Sequence, residues 1–195
     1  MSWIAEPSLQ LQGHAKVSRA GLIVIDDFEA FRAQLVVPAQ RELFDYWVSC
    51  SADGEIPQRS VFTPAAVPQL LPYVSLIDVE VAGRFRVRLA GTQLRDIFDR
   101  EVTGLLVSEL ERMSSAGYWQ RACSSVVEKR LPMQGAIKSP RITKDHLVQF
   151  WLRMPFSAND GSIRQLLGFD ICIPAADLQI DLSKCDQGEP DSLAV

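Results

Sequence analysis

The residues able to make or break bonds are few and scattered. The chain has two histidines, His14 and His146, far apart in sequence. A serine nucleophile needs a histidine or equivalent base beside it, and no G-x-S-x-G stretch presents one. Cys50, Cys123, Cys172 and Cys185 form no C-x-x-C pair, so neither a zinc site nor a dithiol redox centre is encoded. The phosphate-cradling patterns G-x-x-x-x-G-K-[ST] and G-x-G-x-x-G do not occur. Asp26 and Asp27 are adjacent, and adjacent side chains diverge on any regular element. They read as a cap or turn rather than a catalytic dyad. The expectation is a chain that is not an enzyme and holds no metal.

The 195 residues suffice for one domain with extensions, and a hydrophobic content of 47% permits a sizeable core. Twenty basic residues stand against 24 acidic ones, a net charge of −4. That balance argues against nucleic acid as a main partner, which needs concentrated positive charge. No stretch approaches the roughly 20 consecutive apolar residues that span a bilayer. The first residues lack a basic region followed by a long apolar run, so a secretory leader is not expected. A cytoplasmic location with reduced thiols is the simplest expectation.

The elements that must position any site follow from periodicity. Pro38 to Cys50 reads as a helix, with Leu43, Trp47 and Cys50 at helical spacing and Phe44 and Tyr46 beside them. A short second helix is expected from Thr63-Pro64 to Leu71-Pro72. Ser75 to Val81 and Arg84 to Leu89 alternate apolar and charged residues, as half-buried antiparallel strands do. A three-residue loop, Ala82-Gly83-Arg84, would set Val81 opposite Phe85, Glu80 opposite Arg86 and Asp78 opposite Arg88. Thr92 is suited to cap a short helix holding Leu94, Ile97 and Phe98. A longer helix is expected from about Ser108 to Leu131, with Met113, Ala116, Trp119, Cys123, Val126 and Val127 on its buried face. Gly117 marks a kink or break in it. Three strands follow: Met133 to Lys138, His146 to Met154, and Ile163 to Ile173. The last two are joined by the turn Ser157-Ala158-Asn159-Asp160-Gly161.

This order is helix, two strands, short helices, a longer helix and three strands. Within it, FRVRLAGTQLRDIFDREVTGLLVSEL at 85–110 carries R-L-A-G-T at a strand end, then a Thr-Gly break. Upstream stand LFDYW at 43–47 and QLLPYVSLIDVE at 69–80; downstream, LVQFWLRMPF and IRQLLGFDICI. Together these resemble the PAS family, in a bacterial stand-alone subgroup, over roughly residues 38–175. The resemblance implies an α+β fold: a five-stranded antiparallel sheet with helices on one face and an N-terminal helical extension. The matching division is an N-terminal arm at 1–37, the PAS-like domain with its leading helices at 38–175, and a flexible tail at 176–195.

In PAS domains the pocket lies between sheet and helices. The residues expected to line it are Phe85, Val87, Leu89, Thr92, Phe98, Trp119, Phe150, Leu152 and Phe169. They would either receive a small apolar or amphipathic ligand or pack as a closed core. Known PAS cofactors are not expected. The position of a flavin-reactive cysteine holds Thr103-Gly104-Leu105-Leu106, and His146 begins a strand rather than lying on the helix that carries a haem ligand. The implied role is a regulatory module acting by ligand binding or protein contact, with a homodimer or a signalling protein as partner. The alternatives are a closed-core adaptor without ligand, or an enzyme on a cone-like curved sheet with His146 in its cavity.

Overall fold

The computed structural model describes residues 26–52, 54–110, 117–139 and 146–178. Its five strands are β1 (Val74–Val79), β2 (Phe85–Ala90), β3 (Met133–Lys138), β4 (Leu147–Ser157) and β5 (Ile163–Pro174). They form one antiparallel sheet in the order β2-β1-β5-β4-β3. The β1–β5 pairing, from Val74 opposite Phe169 to Asp78 opposite Gln165, joins the first hairpin to the last three strands. Strands β4 and β5 are therefore central, and β4 is buried along almost its whole length. A strand in that position is covered on both faces, so each polar side chain on it needs a partner inside the fold.

Helices α3 (Thr92–Phe98) and α4 (Tyr118–Lys129) cover the face that carries Trp151 and Arg153. The opposite face is covered from the N-terminal side, by α1 (Asp26–Gln34), α2 (Pro38–Ser49) and the 3-10 segments after them. Trp47 donates its indole N–H to the Pro155 carbonyl at 3.0 Å. The Phe62 ring meets Phe156 at 5.6 Å, and Tyr73 meets Phe169 at 5.9 Å. Thus α1 lies within the stretch assigned to the N-terminal arm, and Phe28 packs edge-on against Phe44 and Trp47. Leu43, Phe44 and Trp47 are buried within their own chain. A four-residue helix, α5 (Ala175–Leu178), begins the expected tail; residues 179–195 lie outside the described residues, as do 1–25.

Four local expectations change. The second helix is two 3-10 segments, Pro64–Ala66 and Pro68–Tyr73. Pro64, Pro68 and Pro72 each remove a backbone N–H, and an α-helical ladder cannot form across them. The long helix is a 3-10 turn, Val107–Leu110, and α4, which starts after Gly117 in the left-handed conformation (φ +81°). Met113 and Ala116 lie outside the described residues. Gly91, not Thr92, is the N-cap of α3. The β1–β2 connection is longer than expected. Glu80 N–H bonds the Arg84 carbonyl at 2.8 Å, around a turn with Ala82 and Gly83 at positive φ.

That longer turn shifts the register by two. Val79, not Val81, faces Phe85, and Asp78 faces Arg86, while Val81 is 81% exposed. The odd-to-odd parity survives as far as Ile77 opposite Val87. A bulge then follows, and Leu76 faces Leu89. The extra residue turns the β2 side chains over, leaving Leu89 54% exposed. The charged partners still meet diagonally, with Glu80 to Arg86 at 2.5 Å and Asp78 to Arg88 at 3.7 Å.

Two positions generate measurable expectations. At Gly91, a Cβ would stand 2.1 Å from the Leu71 carbonyl oxygen and 2.4 Å from that of Pro72. Both neighbours are backbone, so Gly91→Ala should destabilise by about 2 kcal/mol or more, read as a lower urea midpoint at unchanged slope. In the β4–β5 turn, Asp160 accepts hydrogen bonds from Ser162 N–H at 2.9 Å and Ser162 Oγ at 2.5 Å, and pairs with Arg164 at 3.1 Å. The Ser162 bonds foremost, then Arg164, lower its pKa from 3.8 to about 2. A depressed carboxylate stabilises the fold fully above the unfolded value. The contribution of Asp160 should therefore be present above pH 3.8 and vanish as pH falls through about 2. Carboxyl-carbon NMR titration should place Asp160 near that lower value and show it rising in Ser162→Ala.

Candidate functional site

The interior under α3 and α4 is built by odd residues of β4 and even residues of β5. Register sets Trp151 opposite Asp170 and Arg153 opposite Gly168. Ile77 and Val87, paired across β1 and β2, extend the same wall. Leu94, Phe98 and Trp119 come down from the helices.

The centre of this space is a charged pair. Arg153 is 3% exposed and Asp170 is 1% exposed. Two guanidinium nitrogens meet the two carboxylate oxygens, Nη1 to Oδ2 at 3.0 Å and Nη2 to Oδ1 at 3.1 Å. Nη1 also donates to the carbonyls of Leu152 at 2.9 Å and Phe169 at 3.2 Å. Gln149 donates its amide to Asp170 Oδ1 at 2.9 Å. The guanidinium carbon lies 5.1 Å from the Trp119 ring centre and 5.8 Å from that of Trp151. Trp151 in turn donates its N–H to the Tyr118 hydroxyl at 2.9 Å. A bidentate guanidinium–carboxylate pair with aromatic neighbours is the arrangement best able to keep two charges out of water.

Burial works to lower the Arg153 pKa, but Asp170, with Cys123 and Tyr118 nearby, outweighs it and raises the value. Arg153 is therefore firmly cationic. Burial also raises the Tyr118 hydroxyl, against the opposing hydrogen bond from Trp151. Two polar atoms here have no hydrogen-bond partner, Arg153 Nε and Gln149 Oε1. The remaining space among Ser75, Ile77, Leu94, Phe98, Trp119 and Arg153 is about 10 Å³, room for one water molecule.

The expected lining residues divide. Val87, Phe98 and Trp119 bound this space, and Phe85 is buried on the same wall. Thr92 is exposed at the start of α3, and Leu89 is exposed by the bulge. Phe150, Leu152 and Phe169 are buried on the other face, toward the N-terminal layer. They share a parity with Met154 and Leu167, opposite to that of Arg153 and Asp170. His146 is exposed just before β4, so the cone-enzyme alternative loses its inward histidine. Gln149, Trp151, Arg153 and Asp170 do not stand out in the sequence, because the alternate set in β4 and β5 is the more apolar one. The available signal was Trp151, too large and apolar for a solvent face, between Gln149 and Arg153. Among the described residues, no group of three His, Cys, Asp or Glu side chains is placed to hold a metal, and no helix is long and apolar enough to cross a membrane.

Comparison with known proteins places this geometry. A family model described as PAS domain matches residues 35–171. No curated protein matches the sequence. The chain is similar to the PAS domain of BvgS from Bordetella pertussis, with 16% identity over 59% of this chain and 89% of that one, at a TM-score of 0.43. It is similar to a sensory box sensor histidine kinase from Vibrio cholerae, with 11% identity over 56% and 88% of the two chains, at 0.42. A LOV protein from Rhodobacter sphaeroides gives 12% identity over 52% and 58%, also at 0.42.

The pair at the centre sets a stability expectation. Arg153→Met strands the Asp170 carboxylate in the core and should cost about 3–5 kcal/mol. Adding Asp170→Leu removes the stranded charge and should recover most of that loss. Urea unfolding of the single and double variants reads both steps.

Proposed function

The chain belongs to the PAS-domain family, and from that premise we propose that it is a regulatory module acting through protein contacts, with its interior closed to organic ligands. One observation carries this reading. The space between sheet and helices, where the family resemblance expects a pocket, is about 10 Å³. Small-molecule pockets run to roughly 300–1,000 Å³. The volume that a ligand would take is occupied by Arg153 and the Trp119 and Trp151 rings. The guanidinium acts as an internal substitute for a ligand, held by Asp170 in the way a protein carboxylate would hold a bound cation.

The interior is also the wrong chemistry for an apolar guest. A hydrocarbon entering it would have to displace water-excluded charge from its counter-ion, at a cost of several kcal/mol. The module would then communicate through its surfaces, toward a second copy or a signalling protein. A second reading, a small polar ligand, is favoured by one observation: Arg153, which lines the chamber, has an unpaired Nε.

Native mass spectrometry of the full chain separates the two. The expected result is the mass of the bare polypeptide, or a whole multiple of it. An organic adduct that survives gentle desolvation and disappears in Arg153→Met would overturn the closed-interior reading.

A further inference from the structure

A second cavity lies on the surface, away from the chamber. It is an open groove of about 760 Å³. One wall is the Gln58–Ser60 segment and the other is the β4–β5 turn. The first wall is fixed to the sheet, because Ser157 N–H bonds the Pro57 carbonyl at 3.0 Å and Ser157 Oγ bonds the Ile56 carbonyl at 2.8 Å. The floor is the N-terminal-layer side of the sheet, with Asp78 and Gln165 joined by a 2.6 Å hydrogen bond.

Three arginines line this groove, Arg59, Arg88 and Arg164, against two aspartates, Asp78 and Asp160. The groove is cationic on a chain of net charge −4. Its cations are readily available. Arg88 is 64% exposed and only 3.7 Å from Asp78. Arg164 is 65% exposed, and its partner Asp160 is 58% exposed. Exposed pairs of this kind contribute between about 0 and 1 kcal/mol, so an incoming carboxylate can replace them at little cost. Arg59 has no carboxylate partner among the described residues. It lies over the Phe62 ring at 5.6 Å and donates to the Phe62 carbonyl at 3.0 Å, which holds the guanidinium in place.

We propose that this groove docks an extended acidic segment of a partner protein. The charge complementarity and the fork geometry of three arginines select carboxylates. The open shape favours a chain over a small molecule, which a site must largely enclose to hold tightly. The side-chain amides of Gln58, Asn159 and Gln165 supply donors and acceptors for a peptide backbone lying between the walls. The proposal rests on the module acting through protein contacts, and names the chemistry of the partner.

The test uses the full chain and a fluorescein-labelled, glutamate-rich peptide with one central leucine, followed by fluorescence anisotropy at low salt. Saturable binding is expected, weakening as salt rises. Combined Arg59→Gln, Arg88→Gln and Arg164→Gln should weaken it about tenfold or more, a change of at least about 1.4 kcal/mol. Combined Arg95→Gln, Arg121→Gln and Lys129→Gln, which removes the same charge elsewhere, should change it less than about threefold. Arg164→Glu alone, at an exposed position near the start of β5, gives the same loss of binding should the triple variant fold poorly. Absent binding, equal loss in both triple variants, or displacement of the peptide by equimolar inorganic pyrophosphate would overturn the proposal. Any of these leaves the bare-mass result of native mass spectrometry untouched, so the two readings fail separately.

Discussion

The Arg153–Asp170 pair constrains the structure more tightly than any other contact. Both charges are out of water, and neither could stay there without the other. The pair sits on the two central strands, so it is sensitive to their register. A one-residue slip of β5 would move Asp170 to the other face, among Leu152, Met154 and Leu167. Slipping would strand two buried charges, a penalty larger than the loss of any single apolar contact. The pair is best understood as fixing one arrangement of the sheet rather than as adding net stability.

Its neighbours follow from it. Gly168 lies opposite Arg153, and a Cβ there would come within 2.2 Å of Ser75 Oγ and 3.3 Å of Arg153 Nη1. Gly135 lies opposite Trp151, and a Cβ there would meet the indole at 2.6 Å. Two strand glycines, each weakening a strand by itself, make room for close neighbours: the Trp151 indole at Gly135 and, at Gly168, chiefly the Ser75 hydroxyl beside Arg153. Trp151 is then held at its far end by Tyr118, the first residue of α4. The position of α4 on the sheet thus depends on where the guanidinium lies. Trp119, next in the chain, closes over the same group.

Much of this fold was legible in the sequence, and the misreadings have one physical origin. The alternation in 75–89 marks a hairpin, Gly117 marks the start of α4, and the β4–β5 turn is clear from Ser157 to Gly161. These are local signals, and local chemistry decides them. Which face of β4 looks toward α4 is not local. Val148, Phe150, Leu152 and Met154 are more apolar than Gln149, Trp151 and Arg153, and apolar faces normally point to the core. Here both faces are core, because α1 and α2 cover one and α3 and α4 the other. The more apolar face meets the N-terminal layer, and the face with charge meets the helices. The pairing of Arg153 with Asp170 across two strands makes that inversion tolerable, and pairing between strands cannot be read from either strand alone. The bulge at Leu76/Ile77 is similar: one extra residue exposes Leu89, and no residue type in β2 announces it.

The same double cover bears on how a regulatory module of this shape can work. A ligand shifts a conformational equilibrium only by binding one state better than another. An interior with room for one water offers such a ligand no volume unless the ion pair opens first, and opening it exposes two charges that the fold otherwise shields. The interior is therefore the part of the molecule whose opening carries the electrostatic penalty. The N-terminal layer is attached differently: Trp47 bonds the backbone at Pro155, and Phe62 and Tyr73 contribute ring contacts to β4 and β5. The Arg32–Asp45 pair between its two helices is near half exposed. The Trp47 bond is buried but neutral, the ring contacts are apolar and the Arg32–Asp45 pair is solvent-screened, so separating them strands no buried charge pair. One side of the sheet is locked by a desolvated ion pair and the other by ring packing and neutral hydrogen bonds, and the second side adjoins the groove bounded by Arg59, Arg88 and Arg164.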